Sequence, residues 1–155
     1  KILEQHSFIS HLQANQAAEA DRRFCRHNMA HFLDVARIGQ ILNLEEDIGL
    51  DRELIYAAAL LHDLGRHVQY ENGTPHETAG AEIAPRILTE CGFDDYETGV
   101  ITEAIRNHRN VSVAGERNLN GVMYRADKLS RACFACEAEP ECNHAAEKKN
   151  LSLRY

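Results

Sequence analysis

The stretch Leu54-Ile55-Tyr56-Ala57-Ala58-Ala59-Leu60-Leu61-His62-Asp63-Leu64-Gly65-Arg66 decides the fold. From Leu54 to Leu61 it is apolar nearly all round, which predicts a helix buried on every side. Asp51 can cap its start, and neither Pro nor Gly interrupts it before Gly65. His62 and Asp63 follow directly. Two strongly polar side chains after an apolar run cost free energy unless something satisfies them. A metal ion does so, since imidazole nitrogen and carboxylate oxygen both suit first-row divalent ions, and a carboxylate can bridge two of them. The alternative is a helix end that meets solvent, with His62 favoured there by the macrodipole.

Outward from this stretch, helical signals dominate. Ile2 to Ala20 is helix-prone, with Ile2, Phe8, Ile9 and Leu12 as its stripe. His27 to Leu42 carries Phe32, Val35, Ala36, Ile38 and Leu42 near a 3.6 period. Arg66 to Pro75 reads as a polar loop turning at Asn72-Gly73. A helix is expected from His76 to about Cys91, stopped by Gly92. Another is expected from Asp95 to Arg109, then a loop over Asn110 to Asn120 and a short helix over Leu119 to Arg131. No run alternates in the manner of a strand. The expectation is an all-α compact bundle of six or seven helices over residues 1–131. An irregular, cysteine-containing tail, 132–155, packs on that domain or trails it.

At 155 residues the chain is one domain's worth of protein. It carries 24 acidic against 17 basic residues, a net charge of −7, which excludes nucleic-acid polymers and membrane surfaces as general partners. The apolar run ending at Leu61 is far short of the roughly 20 residues of a membrane span. Lys1-Ile2-Leu3-Glu4 has no secretory pattern and no initiator Met, so a trimmed N-terminus is expected. Five cysteines, an odd number, do not suit a secreted disulfide framework, and a reducing cytoplasmic compartment is expected. Cys133, Cys136, Cys142 and His144 form Cys-x2-Cys-x5-Cys-x-His, which offers three or four ligands to a structural zinc, with Cys25 as a further candidate. Plainly reduced cysteines, or a redox or iron–sulfur role, are the other readings.

Four more residues have ligand chemistry: His31 in His31-Phe32-Leu33-Asp34-Val35-Ala36, His76 after Pro75, His108 after Asn107, and Asp127 in Ala126-Asp127-Lys128-Leu129. Each alone is more often a satisfied surface or core residue. In order, His … His-Asp … His … His … Asp resembles the HD superfamily of metal-dependent phosphohydrolases, from about Ala30 to Leu129. The most specific parts are Leu61-His62-Asp63-Leu64-Gly65 and Ala126-Asp127-Lys128-Leu129. Val35-Ala36 after the first histidine selects His31 over His27.

The resemblance implies an all-α fold and a binuclear site. One ion would be held by His31, His62, Asp63 and Asp127 and the other by His76 and His108, with Asp63 bridging. Iron or manganese suits such a mixed site, with Mg, Ni, Co or Zn also open. Water shared by two such ions ionises near neutral pH and can attack phosphorus. Asp63 is thus also a catalytic candidate. Arg66, Arg109 and Lys128 are the expected cations for the transferring phosphoryl group, and each also reads as a solvated helix-end charge. The family often has Lys where this chain has Arg66, whose planar fork also suits phosphate. His27, four residues before His31, is either a contact near the site or an exposed polar residue. Asn28 rules out the zinc-protease pattern, which needs Glu there.

The expected function is therefore hydrolysis of a small phosphorylated compound, a nucleotide, with the loops Gly65–Pro75 and Asn110–Asn120 bordering the site. Two alternatives stay open: a di-iron oxygenase on the same ligands, and a non-catalytic nucleotide-binding or regulatory protein. A homodimer is compatible with either.

Overall fold

An apolar run as long as 54–61 needs partners on all its faces, and four helices supply them. The computed structural model describes residues 1–155 and contains seven α-helices and no strand. They are α1 (His6–Ala18), α2 (Met29–Glu45), α3 (Arg52–Leu61), α4 (Arg66–Asn72), α5 (His76–Cys91), α6 (Asp95–Asn107) and α7 (Leu119–Leu129). α3 lies at the centre, against α2, α5, α6 and α7. Ile55 and the unbroken stretch Ala57 to Leu61 are buried. Phe32, Val35 and Ala36 of α2, Ile87 and Leu88 of α5, Ile101 and Ile105 of α6, and Met123 of α7 complete one core. Burying each large side chain contributes about 1.5–3 kcal/mol.

Side-chain caps fix where the helices begin. Asp51 accepts from Glu53 N at 2.7 Å, Asn28 from His31 N at 3.2 Å and Asn118 from Gly121 N at 3.2 Å. Asp94 and Glu97 form a reciprocal capping box on α6. Three expectations need correction. Residues 66–72 are helix α4, not loop. Asn72-Gly73 does turn the chain, but as the left-handed end of that helix, which buries no residue and so shows no hydrophobic period. The first helix is broken at Gln5, with a 3-10 turn over Ile2–Glu4 before α1. His27 lies ahead of α2, because Asn28 caps that helix.

The turn from α3 into α4 is clamped from two sides. Asn15 of α1 is fully buried; its amide donates to Asp63 O at 2.9 Å and its oxygen accepts from His67 N at 2.8 Å. On the other side Gly65 packs against the start of α5. A Cβ there would lie 2.5 Å from both Gly80 N and His76 O, backbone atoms that cannot swing away. Gly65→Ala is therefore expected to destabilise the fold by at least about 3 kcal/mol, a fall in Tm of roughly 6–12 °C in thermal unfolding. Gly99→Ala in α6, where nothing lies within 4 Å of the new Cβ, should raise stability by about 0.5–1 kcal/mol, the difference between Gly and Ala in a helix.

Candidate metal centre

Five segments deliver six polar side chains to the end of α3. His62 is the cap residue at its C-terminus, and Asp63 follows in the turn held by Asn15 and Gly65. α2 contributes His31 from its first turn, α5 its first residue His76, α6 its cap residue His108, and α7 Asp127 from its last turn. His62, Asp63, His76 and His108 are each at most 1% exposed, although all four are strongly polar.

The ligand atoms fall into two groups that meet at Asp63. In the first, His31 Nε2 lies 3.3 Å from His62 Nε2, 3.4 Å from Asp63 Oδ2 and 3.6 Å from Asp127 Oδ1. His62 Nε2 lies 3.1 Å from the same Asp63 Oδ2. In the second, Asp63 Oδ1 lies 3.1 Å from His76 Nε2 and 3.7 Å from His108 Nε2, and the two nitrogens are 3.2 Å apart. Within each group all ligand atoms lie within 4.8 Å of one another. One carboxylate thus turns a separate oxygen to each group.

The outer ring nitrogens fix what the inner ones can do. His62 Nδ1–H donates to Ala59 O at 2.7 Å and His108 Nδ1–H to Ile105 O at 2.6 Å. His76 Nδ1–H donates to Gln69 Oε1 at 2.6 Å. His31 Nδ1–H donates to Ser130 Oγ at 3.3 Å, whose hydroxyl in turn donates to Asp127 O. A carbonyl only accepts, so each ring carries a proton on Nδ1, and in its neutral form each turns the Nε2 lone pair inward. Four lone pairs and two carboxylates then converge with too few protons between them. Divalent cations fit that set; an apolar or neutral filling does not.

Charge follows the same logic. Burial lowers the His62 imidazole, but the Asp63 and Asp127 carboxylates raise it further, and the net direction is up. Burial pushes the Asp63 carboxyl up, and the charges of His62 and Arg66 reverse this and hold it well below its usual range. Burial also pushes up the Asp127 carboxyl, which is partly exposed, and Lys128 and then His62 hold it below its usual range. Burial, followed by the charge of His62, takes His108 down to about 3, and burial also lowers His76. The carboxylates are thus ionised at neutral pH, and His108 and His76 favour the lone-pair form a metal requires.

The chain matches the family model for the HD domain over residues 28–132. The chain belongs to the HD-domain family. HD domains form a superfamily of metal-dependent phosphohydrolases, and the His/Asp cluster agrees with divalent metal binding. The chain is 47% identical over 154 residues to an uncharacterized protein of Clostridium beijerinckii, covering 99% of this chain and 96% of that one. It is 29% identical to ribonuclease Y of Enterococcus faecalis over 121 residues, and 34% identical to ribonuclease Y of Clostridium kluyveri over 122. Those two alignments cover 78% and 70% of this chain but only 21% and 23% of the ribonucleases. No solved structure matches.

Around the HD centre the three expected cations divide. Arg66 donates to Asp63 Oδ1 at 3.1 Å. Lys128 pairs with Asp127 Oδ2 and donates to His108 O. Arg109 is half exposed and faces Glu77 at 3.5 Å instead. A cavity of about 370 Å³ opens beside His31 and Asp127, between residues 23–28 and the segment from Ser130 to Lys149. Neither of the two expected segments, Gly65–Pro75 and Asn110–Asn120, lines it.

Sequence reasoning missed the pair Glu19–His27. His27 is 8% exposed, not a surface residue. Its Nδ1–H donates to Glu19 Oε1 at 2.6 Å, its backbone N–H donates to Glu19 Oε2 at 2.8 Å, and its Nε2 lies 3.8 Å from Asp63 Oδ2. Tyr70 also donates to Glu19. The one signal available was the four-residue spacing to His31; Glu19 gave none. The cysteine expectation also needs correction. No three ligand atoms of Cys25, Cys133, Cys136, Cys142 and His144 lie within 4.8 Å of one another, whereas zinc bonds of ~2.3 Å hold sulfurs about 4 Å apart. A tetrahedral zinc set is not assembled.

Burial raises the Glu19 carboxyl, but the hydrogen bonds and charge of His27 outweigh it and bring it to about 2. A carboxyl lowered on folding stabilises the fold above its unfolded value of 4.5, and that contribution fades as pH falls towards 2. Glu19→Gln should therefore lose stability at pH 7 yet converge with the wild type in acid unfolding monitored down to pH 2. A constant stability gap across that range would refute the Glu19–His27 coupling.

Proposed function

We propose that this HD domain is a metal-dependent phosphohydrolase acting on a small phosphorylated compound, a nucleotide. The observation that carries the reading is the split of Asp63, with Oδ2 towards His31 and His62 and Oδ1 towards His76 and His108. In this reading His31, His62, Asp63 and Asp127 hold one divalent ion, and Asp63, His76 and His108 hold the other. A divalent ion bound by these residues would supply a water of near-neutral pKa and positive charge for the phosphoryl oxygens. Iron or manganese suits the imidazole–carboxylate mixture best.

The chain's own residues do the rest. Arg66 and Lys128 keep Asp63 and Asp127 ionised and place two cations where charge develops on a phosphoryl group. His27, oriented by Glu19, can hold or release a proton at Nε2 beside Asp63. Arg109 contributes positive potential from the rim. Asn15 and Gly65 hold the His62-Asp63 turn against slippage. Residues 1–131 form the catalytic unit, with 132–155 walling one side of the cavity beside it. Five free cysteines suit a reducing cytoplasmic setting.

Similarity to ribonuclease Y favours a second reading, cleavage of RNA phosphodiesters. The net charge of −7 opposes it, because polymer binding rests on neutralising many phosphates. Phosphate release from nucleoside monophosphates, nucleoside polyphosphates and a short RNA, with Mn²⁺ or Fe²⁺ added, separates the two. The expected outcome is turnover of a nucleotide and not of RNA. A chelator should abolish it and metal restore it. His62→Ala and Asp127→Ala should each lower it by at least about 10³-fold, the several kcal/mol that metal catalysis supplies. Unchanged turnover in either variant, or O₂ consumption without hydrolysis, would refute the assignment.

A further inference from the structure

Four of the five cysteines serve no purpose in the HD centre, yet they line one cavity. Cys25 reaches it from the segment before α2, and Cys133, Cys136 and Cys142 reach it from the segment after α7. Cys91, the fifth, is buried in the core at the end of α5. All four lie outside residues 28–132, the span of the HD family match, and they flank it on both sides. All are free thiols. Burial and then Cys133 raise the Cys25 thiol, and Cys136 adds to the effect.

The segment that carries three of them has little reason of its own to hold a shape. From 132 to 155 its only regular structure is three-residue 3-10 turns, and its only buried residue is Ala138. Fixing backbone costs about 1–2 kcal/mol per residue, which one buried alanine does not offset. Polar ties do define its path. Asn150 donates to the carbonyls of Lys128, Leu129 and Arg131, Lys149 pairs with Glu139, and Arg23 grips Glu141 through both nitrogens. Those ties bring the Cys-x2-Cys pair and Cys142 to the side of the cavity facing Cys25.

A single ion is too small for the arrangement, since no three of these sulfurs lie within 4.8 Å of one another. A cubane of four irons and four sulfides spreads its ligands more widely than one ion does, and four cysteine thiolates are its usual ligands. The complex is an anion. Arg26 and Arg131 line the same cavity and pair with no carboxylate: Arg26 donates to Arg22 O and Ala20 O, and Arg131 lies against His144 and Lys148 O. They supply the positive charge that the anion needs.

We propose that Cys25, Cys133, Cys136 and Cys142 ligate a [4Fe–4S] cluster that fastens the segment after α7 to the segment before α2, beside the HD centre. Ligation of a preassembled cluster handed over by a thiolate-ligated carrier needs no redox change: the four cysteine thiols lose their protons and form four sulfur–iron bonds as the four carrier thiolates leave iron and take those protons up. The cluster is separate from the HD metals and does not rest on the hydrolase reading.

Acid-labile sulfide tells the two iron sites apart, because HD metals bring none. The full chain, produced with iron and purified under anaerobic conditions without chelator, should carry about four labile sulfides and a broad visible absorption that dithionite bleaches. Cys136→Ser and Cys25→Ser should lose both signals. His62→Ala and Cys91→Ser should keep them, with circular dichroism confirming the fold of each variant. Wild-type protein without labile sulfide overturns the proposal whatever the variants do. So does one zinc per chain that is lost in Cys136→Ser, or sulfide that survives that substitution.

Discussion

The buried carboxylate of Asp63 is the constraint on which the rest of the structure depends. It is 1% exposed at the end of the most apolar helix, and its two oxygens face two different pairs of histidines. An ionised group in that position is tolerable only if every lone pair has a partner. Arg66 takes part of one oxygen. The remaining capacity points at imidazole nitrogens whose own protons are engaged on the far side of each ring. The geometry is thus one of organised electron pairs, and cations are the natural complement.

Holding that arrangement falls to backbone more than to side-chain packing. Asn15 satisfies a carbonyl on Asp63 and an N–H on His67 at once, so α1, far away in sequence, fixes the turn. Gly65 lets α5 approach until the backbones nearly touch, and this sets His76 at the distance where it meets His108. Neither residue has ligand chemistry. Both determine where the residues with ligand chemistry sit.

Much of this was legible in the sequence, because the strongest signals were local. The apolar run into His62-Asp63, Gly92 after α5 and Asp51 before α3 each act within a few residues, and all three read correctly. What failed was either short or distant. α4 buries nothing and spans seven residues, so no period could develop. His27 looked like the start of a helix, when Asn28 had already taken the capping role. Glu19 and Asn15 act through contacts 8 and 48 residues away, and nothing in their neighbours announces a buried polar partner. The cysteine spacing suggested a tetrahedral ion, but spacing along the chain does not give separations in space.

The six inward-facing groups come from five segments between α2 and α7, and no two neighbouring helices supply a complete set. An ion arriving early in synthesis therefore meets only fragments of a site. The group of His31, His62, Asp63 and Asp127 is complete only once α7 has docked against α2, whereas that of Asp63, His76 and His108 needs neither helix. Metal bound at the centre would stabilise the folded chain by an amount that grows with the logarithm of free metal concentration. A metal held by the first group would tie α2 to α7, so scarcity of metal would be felt as a lower stability of the whole molecule.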